Sequence, residues 1–184
     1  MRRHILPFAE KEAKILLFFL DEAGFGRISE PSYCWRPMGI RPIVPCHRVR
    51  EYVYAYGAVN PITGDKCFIV APKCNTAWMN EFLQVLSDMY KNDYLLVPTD
   101  NASWHKSKDL IVPENITLFY LPAYTPEMNP IEQIWKEVRK DDFKNTLFNS
   151  LNDVIDKLSV SLMDIKSEVI KSVCGRKWIV EMFK

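Results

Sequence analysis

No two of the five cysteines form a CxxC pair, and none has the spacing of a zinc site. That excludes a soft-metal centre and suits a reducing, cytoplasmic setting. Charge of one sign is not in excess. The net charge of +1 argues against a general nucleic-acid sponge, though a local basic face stays open. Long apolar runs are missing too. The longest, ILLFFL at 15–20, is far too short to span a bilayer, is followed at once by Asp21 and Glu22, and lacks a signal-peptide cleavage site. Repeats, low-complexity tracts and linker-like segments are absent. With 184 residues, 48% of them hydrophobic, the chain is expected to form one domain, 1–184, with a real core.

What is present reads as alternating elements. ILLFFL, stopped by DEAGFG, fits a strand buried on both faces and ending at Asp21. Pro37 and Gly39 mark a turn, EYVYAYGAV reads as a second strand, NPITGD as a turn and KCFIVAP as a third strand. From Asn75 to Tyr90 the apolar residues Trp78, Met79, Phe82, Leu83, Leu86 and Met89 take helical spacing, with Asn75 or Thr76 as cap. YLLVPTD and ITLFYL supply two further strands, with SWHKSKDL as a short helix between them. Pro98 is awkward in a central strand and is expected at its last turn of pairing. Two helices close the chain. Ile131, Ile134, Trp135 and Val138 mark the first. Leu151 to Val169 mark the second, with Ser150 as cap and Gly175 as stop. The order predicts an antiparallel meander, then parallel strands with right-handed helical crossovers: an α/β fold with a mixed sheet flanked by helices.

Three acids sit where such a fold gathers chemistry. Asp21 and Asp100 end strands, and parallel neighbours would bring both out at one edge, where open α/β sheets place their sites. Glu132 lies in the first turn of the helix after LPAYTPEMNP. With Asn129 as N-cap and Pro130 at N1, Glu132 stands at N3 and completes a capping box. It also lies about 100° round the helix from Ile131, at the border of the buried stripe, from which a carboxylate reaches the sheet edge. Three close carboxylates repel one another unless a hard divalent cation, Mg²⁺ or Mn²⁺, sits among them.

FFLDEAGFG, TDNASWHK and LPAYTPEMNPIEQIW together resemble the DDE transposases of bacterial insertion sequences, closest to insertion-sequence family six-thirty of the mariner-related superfamily. The resemblance implies a ribonuclease-H-like, five-stranded sheet in the order 3-2-1-4-5. It makes Asp21, Asp100 and Glu132 the catalytic and metal-binding acids of two-metal phosphoryl transfer, with Asp21 bridging both ions. The implied reaction is DNA strand cleavage followed by strand transfer. The alternatives are an inactive relic of such an enzyme and a ribonuclease-H-like nuclease that cuts without joining. Glu22, next to Asp21, faces the other way on a strand and is expected to be structural or to stand behind the metal ligands, and Asn101 could hydrogen-bond near Asp100. Among DNA-contact candidates are Arg36, Arg41, Arg48 and Arg50, from an acid-free stretch, and Trp104, His105, Lys106 and Lys108 beside Asp100. A solvated hairpin explains the arginines nearly as well, and His105 could instead orient a ligand or be an ordinary helix histidine. About 14 residues precede the first strand, too few for the helix-turn-helix region that relatives carry upstream. The chain therefore resembles a catalytic half. A separate or frameshift-joined frame would supply the DNA-binding half, double-stranded element ends and target DNA would be the substrates, and a homodimer would act on them, away from any membrane.

Overall fold

Strands β1 (Ile15–Leu17), β2 (Phe19–Ile28), β3 (Arg48–Val59), β4 (Lys66–Ala71), β5 (Tyr94–Thr99) and β6 (Ile116–Tyr120) alternate with helices much as the periodicities predict. The helices are α1 (Thr76–Met89), α2 (Glu132–Val138), α3 (Leu151–Asp164), α4 (Ser167–Cys174) and α5 (Lys177–Glu181). The computed structural model describes residues 13–29, 32–33, 35–41, 43, 46–123 and 125–181. No described helix is long and apolar enough to cross a membrane.

The expected single five-stranded sheet is divided by its hydrogen bonds into two sheets of three. One is the antiparallel meander β2-β3-β4 and the other the parallel set β1-β5-β6. Only Phe18 separates β1 from β2. Pro98 explains the break. Tyr94 N–H donates to the Lys14 carbonyl and Phe18 N–H to the Leu96 carbonyl, both at 2.9 Å, so residues 94, 96 and 98 of β5 turn toward β1. The next donor in that series belongs to Pro98, which has no N–H. Pairing with β5 stops there, while β5 keeps its ladder to β6 through Pro98 opposite Phe119. The proline thus sits within the strand, with its missing donor on the side where the sheets part.

β2 does not end at Asp21 as expected, but runs on to Ile28 against β3. The acids and glycines of DEAGFG stay extended because tyrosines lie opposite. Tyr54 faces Gly24 and Tyr52 faces Gly26, and a Cβ on Gly26 would meet the Tyr52 ring at 2.4 Å. Aromatic partners supply the packing that the glycines lack.

Alternation along β2 and β3 feeds two cores. Ala23, Phe25, Val53 and Ala55 pack with Ile131, just before α2, and with Trp135, Val154, Leu158 and Ile170 of α2–α4. Leu20, Tyr56 and Ala58 pack on the other face with Met79, Phe82, Leu83 and Leu86 of α1. α1 starts as expected, with the Asn75 side chain accepting from Trp78 N–H at 3.0 Å. The single long C-terminal helix is instead two, α3 and α4, parted at Ile165 and Lys166. Lys66 Nζ donates to the carbonyls of Leu162, Met163 and Ile165 at 2.9, 2.7 and 2.6 Å. A cation there satisfies the open carbonyls of a helix end and favours stopping. Ser150 caps α3 in a full capping box with Asp153, and Gly175 follows α4.

Candidate active site

The β1–β5 register pairs Ile15 with Tyr94 and Leu17 with Leu96. Carried forward, it sets position 21 level with position 100. Asp21 and Asp100 therefore flank the place where Pro98 ends the pairing. α2 brings Glu132 to the same place. Asp21, Asp100 and Glu132 line one cleft of about 400 Å³, together with Asn101, Pro122, Thr125 and Asn129.

Asp21 faces α2, and its Oδ2 accepts from the Trp135 indole N–H at 2.9 Å. The ring reaches it because the residue opposite Asp21 is Gly57. A Cβ at Gly57 would stand 2.7 Å from the Trp135 ring and 2.6 Å from Phe68. Burial drives the Asp21 carboxyl up to about 7; the Trp135 bond opposes this, and Glu22, Glu132 and Asp100 add to it.

Glu22 faces the opposite side, as alternation requires. Its Oε1 accepts from His105 Nε2 at 2.9 Å and from Trp104 Nε1 at 3.3 Å. The other histidine nitrogen, Nδ1, lies 2.9 Å from Asp100 Oδ1 and 3.1 Å from Thr99 Oγ1. His105 is fully buried. Burial alone would lower its pKa, but its bonds to Asp100 and Glu22 outweigh this and push it up to about 10. The same bond holds Asp100 below its ordinary value, helped by the Ala102 N–H. His105 thus joins two carboxylates beneath the site, and no DNA surface is formed by it.

The capping box expected at α2 is absent. Asn129 makes no cap: its Nδ2 donates to the Leu20 carbonyl at 2.8 Å. Backbone bonds to Asn129, Pro130 and Ile131 satisfy the first N–H groups instead. Asn129 Oδ1 is buried without a partner. Among the described residues the Glu132 carboxylate has no hydrogen-bond or ion-pair partner, so the cleft is left with an unengaged acid.

Among the described residues, no three acids, histidines or cysteines are already gathered closely enough to hold a metal. Asp21 is hydrogen-bonded to Trp135, and Asp100 is paired with His105. The donor chemistry nevertheless fits a hard cation: Asp21, Asp100, Glu132 and Asn129 line one cleft, the buried Asn129 amide oxygen has no donor, and burial, with the neighbouring carboxylates adding to it, raises Asp21.

Arg36, Arg41, Arg48 and Arg50 are exposed on and before β3 and do not line the cleft, and Lys106 and Lys108 are exposed shortly after Asp100. Lys106 lies over the Tyr120 ring, 5.2 Å from its centroid. Trp104 is half-buried against Glu22. Asn101 donates to the Leu121 carbonyl, tying the ends of β5 and β6 together. Sequence reasoning missed the site roles of Trp135, Gly57 and Asn129. Trp135 carried one usable signal, standing one turn from Glu132 on the same helix.

Residues 16–155 match the family described as DDE superfamily endonuclease. An uncharacterized protein of Sinorhizobium fredii, y4pE/y4sA, is 34% identical over 105 residues, which cover 56% of this chain and 78% of that protein. Two solved structures share the fold. The Mos1 transposase paired-end complex with left transposon end aligns at a TM-score of 0.64 and 13% identity, covering 95% of this chain and 55% of that one. The Mos1 mariner paired-end complex with Mn aligns at 0.62 and 13%, covering 95% and 56%. The chain spans about half the length of these solved transposase chains.

Proposed function

This chain belongs to the DDE superfamily of endonucleases, and from that premise we propose that it is the catalytic part of an insertion-sequence transposase. It cuts DNA strands and joins the freed ends to target DNA. The observation that carries this reading is the meeting of Asp21, Asp100 and Glu132 at one cleft, where the β1–β5 pairing ends. We read β1 and β2 as one strand interrupted at Phe18, which restores the sheet order 3-2-1-4-5, and we place the chain with family six-thirty on its NPIEQIW motif. The likeness to Mos1 structures that hold transposon-end DNA or Mn supports DNA and divalent cations as partners. An upstream helix-turn-helix half, a dimer on DNA and a cytoplasmic site of action belong to the same reading.

Asp21, Asp100 and Glu132 would hold two Mg²⁺ or Mn²⁺ ions, which when bound supply Lewis acidity for in-line phosphoryl transfer. Trp135 aims Asp21 and His105 aims Asp100, while Glu132 enters from α2 with its oxygens unengaged. Fixing ligands through neighbours already bonded to them is what a precise site requires. Lys106 and Lys108 meet phosphates beside the cleft.

The test is strand transfer. The protein is incubated with Mg²⁺, a pre-cut duplex bearing the inverted repeat that flanks its own reading frame, and a target plasmid. Joined product is expected, and Asp21→Asn, Asp100→Asn and Glu132→Gln should each reduce it by more than the roughly 10–100-fold typical of outer partners. Cutting without joining would mean a ribonuclease-H-like nuclease, and neither step a relic.

A further inference from the structure

Asn129 was expected to cap a helix and does not. Its residue is 3% exposed, and its Nδ2 is committed to the Leu20 carbonyl at 2.8 Å. Turning the amide over would set oxygen against oxygen, so that bond fixes which end faces where. The other end, Oδ1, is buried and receives no hydrogen bond. Buried amide oxygens nearly always have a donor, so an orphan calls for an explanation.

Its location supplies one. Leu20 directly precedes Asp21, and Asn129 stands three residues before Glu132. The amide therefore pins together the two segments that carry those acids, and Asn129 borders the cleft they share with Asp100. Pro130 follows, and its carbonyl accepts from the buried Cys174 thiol at 3.3 Å. The side chain is held rigidly, and no donor among the described residues meets its oxygen. A hard cation takes such an oxygen readily, and a neutral ligand adds no negative charge to a site already crowded with carboxylates.

We infer that Asn129 Oδ1 is a fourth oxygen ligand of the cation site, alongside Asp21, Asp100 and Glu132. This rests on the metal-dependent reading given above and adds to it a residue outside the acid triad.

Calorimetric titration of the full chain with Mn²⁺ tests the assignment, with melting temperature in chelator measured in parallel. Asn129→Leu should weaken Mn²⁺ binding at least tenfold. Asn129→Asp loses the same bond to Leu20 and should melt as low in chelator, yet it keeps an oxygen and should bind Mn²⁺ within about threefold of the parent. Equal weakening by both variants makes the amide a structural clamp and overturns the inference. So does parent-like affinity in both while Asp21→Asn and Glu132→Gln lose binding. If those two acid variants also bind normally, the metal site itself is wrong and the inference goes with it. Should the variants not fold, a crystal of the parent protein in Mg²⁺ decides: Oδ1 at about 2.1 Å from the ion upholds it, and a site formed without Asn129 overturns it.

Discussion

At the scale of single residues, the cleft holds two acids eased by partners, Asp21 by Trp135 and Asp100 by His105, and a third, Glu132, without one among the described residues. Asp21 is the clearest case. Its folded value near 7 lies above the unfolded 3.8, so its contribution to stability is complete below 3.8 and is lost as pH rises through 7. The metal-free protein should therefore weaken between about pH 4 and 7, by up to about 4 kcal/mol from this group. Asp21→Asn should flatten that segment of a urea-midpoint profile and raise the midpoint at pH 8. A variant as pH-sensitive as the parent would refute the account. His105 behaves with the same sign in a higher window. Its value is raised from 6.5 to about 10, so its stabilisation is complete below 6.5 and fades as pH rises through 10. Replacing it by Leu leaves Glu22, whose side chain is only 5% exposed, with the Trp104 indole N–H and no cation, and should cost about 3 kcal/mol or more at pH 6. Urea unfolding at pH 6 and at pH 10.5 checks both, because the variant's deficit should shrink at the higher pH. That Asp21, Asp100 and Glu132 come to one cleft could be expected from sequence, since each stands in its own short motif. The Glu22–His105–Asp100 chain could not be assembled that way. It joins residues 83 apart, and nothing in either local stretch names the other.

Elements were legible where local chemistry decided them and opaque where a distant residue did. The period of α1 and its Asn75 cap lie within one window of sequence, and so does the Ser150 capping box of α3. The break between α3 and α4 is set by Lys66, almost a hundred residues earlier, and the heptad-like stripe across it gives no warning. Lys66→Met keeps the aliphatic stem and removes the donor to three carbonyls. It should cost roughly 1–3 kcal/mol in urea unfolding, and an apolar swap without penalty would show that the lysine does not set the break. Pro98 offers a cleaner test of how the sheet is divided. Pro98→Val restores an N–H on the side facing β1 and Phe18. The new amide should be among the slowly exchanging set in hydrogen-exchange measurements, matching Leu96. Rapid exchange there would mean that the strands part for some reason other than the missing donor. The extension of β2 past Asp21 escaped the sequence reading for a similar reason. Gly24 and Gly26 look like strand-breakers until Tyr54 and Tyr52 are known to lie opposite them.

For the molecule as a whole, the layout separates chemistry from reach. Lys106 follows His105 directly and Lys108 comes two residues later, and Lys106 is among the charges that lower Asp100. Arg48 and Arg50 lie far along β3 from Gly57, the residue opposite Asp21. At about 3.4 Å per residue the separation is up to roughly 24 Å for Arg50 and 31 Å for Arg48. One strand of B-DNA rises about 3.4 Å per base pair, so on the proposed DNA-cutting reading a duplex laid along β3 reaches those arginines up to about seven to nine base pairs from the cleft. The two basic groups should then part by substrate length. Neutralising Lys106 and Lys108 should weaken binding to short and long duplexes alike and lower the salt slope by about 2 × 0.9. Neutralising Arg48 and Arg50 should leave a six-base-pair duplex unaffected and weaken only one of twenty. Salt titrations by fluorescence anisotropy on both lengths make the comparison. Loss of short-duplex binding in the arginine variant would bring DNA across β3 directly at the cleft, along a path that this strand register does not support.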